Sequence, residues 1–92
     1  MNLFKKKERP LEELAEDLKI ELISDPGDNY EHFKVMGSGK SRAKAERRLL
    51  ENAIKDGANY MVYPIKTEQP GTNDELEIVS AKCYKSMESR VA

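Results

Sequence analysis

The apolar spacing between residues 41 and 56 constrains the fold of this chain more than any other feature. The apolar side chains recur three to four residues apart, at Ala45, Leu49, Leu50, Ala53 and Ile54. Residues at that spacing share one face of an α-helix, so the segment predicts a helix of about four turns that packs by this stripe. Ser38 or Ser41 can cap its start, and Gly57 can end it in the left-handed conformation.

The segments on either side of this helix have the patterns of β-strands. Before it, residues 19–24 and 30–37 are separated by the turn sequence Asp-Pro-Gly-Asp-Asn, which predicts a hairpin. After it, residues 58–65 and 76–85 are rich in β-branched and aromatic side chains, which favours two further strands. Residues 66–75 between them are predicted to be a loop.

A short helix is predicted over about residues 10–18, because Pro10 suits a first helical turn and leucines follow at helical spacing. The elements together predict an α+β fold. It comprises a small antiparallel sheet of about four strands, the main helix (about 41–56) on one face and the short N-terminal helix. We expect one domain over residues 10–86, between a basic flexible N-terminus (1–9) and a loose tail (87–92).

Composition excludes several classes of protein. The chain has 92 residues, 36% of them charged, yet its formal net charge is only −1. It therefore exerts no global attraction on nucleic acid or anionic membrane. Its single cysteine cannot form an internal disulfide. No apolar leader or spanning segment is apparent, so we expect a cytoplasmic protein with no membrane partner.

The sequence Gly-Ser-Gly-Lys-Ser before the main helix matches the end of a phosphate-binding loop. The full motif requires a glycine at position 34, where the chain has Lys34. The apolar strand that follows the helix also lacks a terminal aspartate for a metal ion. The sequence therefore predicts no nucleotide cofactor, and the two glycines are expected to let the chain turn sharply from strand into helix.

Residues 37–54 weakly resemble the C-terminal half of a double-stranded-RNA-binding domain, in which a glycine pair and a basic cluster begin an alanine-rich helix. Ala43 and Glu46 depart from that pattern, because basic residues are expected there. The resemblance implies phosphate or nucleic-acid contacts through Lys40, Ser41, Arg42, Lys44, Arg47 and Arg48. We favour the simpler interpretation, in which these residues form a solvated face of the helix, over phosphate or nucleic-acid contacts.

A longer stretch, about residues 33–85, resembles the small β-α-β-β domains of the YbjQ/RcsF-like group and is also similar to YdgH/BhsA-type stress proteins. The matching features are a helix that ends in Gly57-Ala58-Asn59, an apolar strand at 60–65, and a last strand with small residues at Ser80 and Ala81. The resemblance implies the fold and, since YbjQ-like domains form rings, a homo-oligomer. RcsF-type domains use several cysteines, whereas this chain has only Cys83.

No catalytic or metal-binding constellation is apparent in the sequence. His32 is the only histidine and has no second ligand at metal-binding spacing. Cys83 is expected to pack as a small apolar group. We therefore predict a non-enzymatic domain, without cofactor or metal, that acts through contacts with an unknown protein partner or through self-association. The alternative is an RNA- or phosphate-binding module that uses the basic half of the main helix.

Overall fold

The structure, a computed structural model, describes residues 10–27, 30–72 and 74–86. It contains two helices and five strands in chain order. They are α1 (Leu11–Asp17), β1 (Glu21–Ile23), β2 (Phe33–Gly39), α2 (Arg42–Lys55), β3 (Tyr60–Val62), β4 (Lys66–Gln69) and β5 (Glu77–Tyr84). The predicted α+β class is confirmed. The predicted basic N-terminus, 1–9, and the tail, 87–92, lie outside the described residues.

The main helix forms almost where the sequence predicted it. The Ser41 hydroxyl accepts a hydrogen bond from the Lys44 backbone N–H at 3.2 Å, which caps the start of α2. Gly57 follows the helix with a φ of +87°, a left-handed conformation that glycine adopts without steric cost. The cap and the stop predicted from the sequence are both confirmed.

The predicted apolar stripe is correct except at Ile54. Ala45, Leu49, Leu50 and Ala53 are fully buried, whereas Ile54 is 42% exposed. Four residues advance an α-helix by about 40° beyond one full turn. Ile54 is therefore rotated past Leu50, away from the sheet.

The sheet is mixed and has five strands, so the predicted antiparallel sheet of about four strands is corrected. Its order is β1-β3-β5-β2, and β4 also pairs with β5. Both β2 and β3 are antiparallel to β5, which makes β2 and β3 parallel to each other, with α2 as the crossover between them. Strand β1 pairs in parallel with β3.

The predicted hairpin between residues 19–24 and 30–37 is wrong. Strand β1 lies beside β3 and β2 lies beside β5, at the opposite edge of the sheet. The Glu21 N–H donates to the Asn59 carbonyl at 2.9 Å, which starts the parallel pairing. The Tyr84 hydroxyl donates to the Gly27 carbonyl at 3.2 Å. This bond draws the connection from β1 toward β5, so the chain crosses the sheet and does not fold back on itself.

Gly37 and Gly39 serve a purpose other than the one predicted. Both lie within β2 and neither has a positive φ, so they do not form a sharp turn. A Cβ atom on Gly37 would lie only 2.3 Å from the Leu49 backbone nitrogen and 2.6 Å from the Ala45 carbonyl oxygen. The glycines therefore allow α2 to lie directly on β2.

The core lies between the helices and one face of the sheet. Its buried side chains come from every layer of the fold: Leu11, Ala15, Ile20, Val35, Ala45, Leu49, Leu50, Ala53, Ala58, Met61, Val79, Ala81 and Cys83. On β2, Val35 and Gly37 point to this core, so the alternate residues Lys34, Met36 and Ser38 point to the opposite face and are exposed. We call this opposite side the open face.

Candidate functional site

The predicted phosphate-contacting residues do not form one surface. Arg42 turns toward the sheet and lies half-buried. Its Nε is 2.8 Å from Glu46 Oε2, its Nη1 is 3.1 Å from Glu77 Oε2, and it also contacts the Thr67 hydroxyl. The hydrogen bond that Arg42 donates to Glu46, and then the one that it donates to Glu77, raise its pKa. Its guanidinium therefore connects α2 to β5.

The other predicted basic residues are exposed. Ser41 is used as the cap of α2, and Lys40 precedes the helix. The exposed side of α2, which we call its outer face, carries four basic residues and one acidic residue: Lys44, Arg47, Arg48, Glu51 and Lys55. Arg47 and Arg48 each lie 3.6 Å from Glu51. Part of the positive charge on this face is therefore balanced locally.

The Gly-Ser-Gly segment does not form a phosphate loop. Gly37, Ser38 and Gly39 pair with Val79, Ile78 and Glu77 of β5. In a phosphate loop the corresponding backbone N–H groups wrap around the ligand. Here the segment is part of the sheet, and a Cβ on Gly37 or Gly39 would collide with α2.

The open face carries a cleft that no sequence pattern indicated. This cleft has a volume of about 370 Å³. Its lining combines four charged residues, one histidine and small or apolar groups: His32, Lys34, Val62, Pro64, Lys66, Glu68, Ser80, Ala81 and Lys82. We refer to it as the open-face cleft.

An interruption of the sheet accounts for the position of the cleft. Met61 pairs with Cys83 and Lys66 pairs with Ser80. Between these two pairs, the four residues 62–65 face only two residues of β5, Ala81 and Lys82. The strand predicted over 58–65 is therefore confirmed only for Tyr60–Val62. The predicted loop over 66–75 instead begins with β4, which pairs with β5.

One wall of the open-face cleft is a bonded cluster of three side chains. Ser80, which is 2% exposed, donates its hydroxyl to Glu68 Oε2 at 2.6 Å. Lys34 Nζ lies 3.1 Å from the same oxygen. The hydrogen bond from Ser80, and then that from Lys34, lowers the pKa of Glu68 below its usual value. Glu68 is therefore ionised and held in place at neutral pH.

Lys82, the cross-strand partner of Lys34, contributes a second charged group to the cleft lining. Its Nζ lies 3.1 Å from Asp25 Oδ1, and this bond raises the pKa of Lys82. Asp25 also accepts a hydrogen bond from the Gly27 N–H at 2.9 Å. That backbone bond, followed by the bond to Lys82, lowers the pKa of Asp25. Lys82 thereby helps to hold the crossing segment on the open face.

Cys83 packs in the core as predicted, whereas His32, predicted to lie in a strand, precedes β2. The exposed His32 ring packs against Tyr84 with a centroid separation of 5.6 Å, and its Nδ1 lies 3.1 Å from the Tyr30 carbonyl oxygen. Cys83 is fully buried in the core, and burial raises the pKa of its thiol to about 12. The thiol is therefore protonated at neutral pH and is a poor nucleophile.

Within residues 10–27, 30–72 and 74–86, no three His, Cys, Asp or Glu side chains are grouped as metal ligands would be. Neither helix in the same ranges has the length and apolar character needed to cross a membrane. Comparisons with protein-family models, curated proteins and solved structures find no match for this chain. The resemblance to the YbjQ/RcsF-like group therefore stays a prediction.

Proposed function

We propose that this chain is a non-enzymatic interaction domain whose contact surface is the open face of the sheet. The observation that carries the proposal is the asymmetry of the sheet. Both helices pack on one face, whereas the opposite face presents the exposed Lys34, Met36 and Ser38 beside the open-face cleft. Met36 is 45% exposed on this face, and together with Val62 and Pro64 of the cleft lining it offers apolar surface to a partner.

The face of the sheet is a better contact surface than its β2 edge. An exposed edge strand can pair with a strand of another protein through its backbone groups. Here the Asn52 side chain reaches from α2 and donates to the Met36 carbonyl oxygen at 2.8 Å. This hydrogen bond occupies an acceptor at the centre of β2, which disfavours strand addition there.

The partner in this proposal is either another protein or a second copy of this chain. The first experiment is sedimentation equilibrium over a wide concentration range. We expect the wild-type mass to rise with concentration and Met36→Glu to suppress that rise. Ile54→Glu is the matched control, because Ile54 has almost the same exposure but lies on α2.

A mass that stays monomeric up to about 1 mM contradicts the self-association form of the proposal. Equal suppression by Met36→Glu and Ile54→Glu contradicts the assignment to the open face. Neither result depends on a chosen ligand, so this experiment tests the contact surface by itself.

A second candidate function is polyanion binding by the outer face of α2. It is favoured by the exposed Lys40 and by the four basic side chains of that face. It is weakened by the position of Arg42, which bonds to Glu46 and Glu77. Polyanion binding falls steeply with salt because bound counterions are released. An RNA duplex titrated at about 150 mM salt therefore separates this function from the first one.

A further inference from the structure

We propose that the open-face cleft binds an acidic segment of a partner protein, with a Glu or Asp side chain at Lys66 and an apolar side chain on Val62 and Pro64. The inference rests on the proposed function, since it names the kind of partner that the open face accepts. Three properties of the cleft support it: its charge balance, its lining and its backbone.

The charge balance favours an anion. Lys34, Lys66 and Lys82 all line the cleft. Lys34 is bonded to Glu68 and Lys82 to Asp25, both at 3.1 Å. Three lysines against two carboxylates leave one positive charge. Within the described part of the chain, Lys66 has no carboxylate oxygen within ion-pair distance, although its field contributes to lowering the pKa of Glu68. The unmatched charge is therefore at Lys66.

The lining favours a ligand that is partly apolar. Val62 and Pro64 contribute apolar surface to this lining. A purely charged ligand would leave this apolar surface in contact with water, whereas a carboxylate next to an aliphatic side chain matches both parts. The volume of about 370 Å³ lies near the lower end of the roughly 300–1,000 Å³ range of ligand pockets. It accommodates a few side chains of a larger partner.

The backbone of β5 favours a peptide. Ala81 and Lys82 pair with Val35 and Lys34 of β2 on one side. On the other side, residues 62–65 stand opposite them without Cα pairing. The Ala81 side chain belongs to the core, so Ala81 contributes backbone atoms to the cleft lining. A bound peptide can form hydrogen bonds with such groups through its own backbone. An extended segment therefore matches the cleft better than a compact ion.

The test is a fluorescence anisotropy titration at about 50 mM salt, where surface charges are only partly screened. The probe is a labelled octapeptide that alternates Glu and Val, and the matched probe alternates Gln and Val. We expect the Glu/Val peptide to bind at least about tenfold more tightly, because bonds between charged groups are stronger than neutral ones. Equal binding of the two peptides overturns the proposal, as does no binding of the Glu/Val peptide at about 1 mM.

Two charge reversals locate the site. Lys66→Glu places a negative charge in the cleft, and we expect it to weaken Glu/Val binding by about tenfold or more. Lys44→Glu makes the same change on the outer face of α2, and there we expect less than about a threefold effect. Circular dichroism verifies that both variants are folded, and Lys66→Gln serves as a milder substitute. Equal losses for Lys66→Glu and Lys44→Glu would mean that only the overall charge matters, which also overturns the proposal.

The two proposals fail separately. If neither peptide binds but sedimentation shows association that Met36→Glu suppresses, the proposed function stands and only the acidic ligand is wrong. If association is absent and no peptide binds, the open face mediates neither self-association nor binding of an acidic segment.

Discussion

Replacing Gly37 by alanine tests the packing of α2 on β2 most sharply. The added methyl group would lie 2.3 Å from the Leu49 backbone nitrogen and 2.6 Å from both the Ala45 carbonyl oxygen and the Leu49 Cα. Non-bonded carbon atoms normally approach to about 3.5–4.0 Å. All three contacts are helix backbone, which has no rotamer to change, so α2 must move away from the sheet by roughly 1 Å.

That displacement loosens every contact along the helix. A gap of about 0.5–1 Å already removes a quarter to a half of the dispersion energy at a contact. Overpacking of a core commonly costs about 1–3 kcal/mol. We expect Gly37→Ala to cost about 3 kcal/mol or more, because the close contacts can be relieved only by a movement of the helix backbone. A loss of about 3 kcal/mol would lower the Tm of a domain of this size by roughly 12–24 °C.

Urea unfolding and thermal melting, followed by circular dichroism, measure this loss. Gly71→Ala is the matched control, because Gly71 has no positive φ and its nearest neighbour would be the Glu77 side-chain Cβ at 3.2 Å. We expect that control to change the free energy of unfolding by less than about 0.5 kcal/mol. If Gly37→Ala costs no more than Gly71→Ala, α2 does not lie directly on β2 and the account of the two glycines is wrong.

Three further predictions concern the core, the carboxylates and the thiol. Leu49→Ala should cost about 2–5 kcal/mol because Leu49 is fully buried, whereas Ile54→Ala should cost under about 1 kcal/mol; urea unfolding that gives equal costs contradicts the corrected stripe. The pKa values of Asp25 and Glu68 are lowered in the folded chain. The bonds of these two carboxylates therefore stabilise the fold fully above their usual pKa values of 3.8 and 4.5. This stabilisation is lost as the pH falls through the lower pKa values of the folded state. The Tm should therefore drop between about pH 5 and pH 3, and a flat profile contradicts these bonds. The Cys83 thiol should react with a disulfide reagent at pH 8 only after unfolding, since its pKa is about 12; fast labelling of the folded chain would place it at the surface.

The sequence was sufficient to predict the elements formed by local interactions. The extent of α2 follows from the cap at Ser41, the apolar spacing and the stop at Gly57, all of which act within a few residues. The fold class follows from the same patterns. Ile54 was wrongly predicted to be buried, because residues four apart rotate gradually around the helix axis. Which of them are buried depends on the position of the sheet, which the helix sequence does not contain.

The strand pairing required information that local patterns do not contain. The turn sequence after β1 predicts a hairpin, but the bond between Tyr84 and Gly27 joins residues 57 positions apart. Pro64 is a signal that the strand is interrupted near Val62, but nothing within residues 58–75 indicates that β4 then pairs with β5. Because the open-face cleft lies at that interruption, its residues come from separate strands and could not be grouped from the sequence.

The predicted basic site shows that the sequence alone does not identify the partner of a charged side chain. Helical spacing alone shows that Arg42 lies nearer to the buried side of α2 than Lys44 does. Its carboxylate partner Glu77, however, is contributed by β5, 35 residues away along the chain. Residues 40–48 are mostly basic and the charged residues of 68–77 are acidic, and the bond between Arg42 and Glu77 joins the two segments within one chain.

The most direct test of the central claim, that the open face is the contact surface, is an NMR titration of the ¹⁵N-labelled chain. The Glu/Val octapeptide and a short RNA duplex are added separately, the duplex at about 150 mM salt. We predict that the peptide shifts the amide signals of Lys66, Ala81 and Lys82, while the duplex binds more weakly than about 1 μM. Submicromolar RNA binding with shifts confined to Lys40 and Lys44 would contradict the account and assign function to the basic helix.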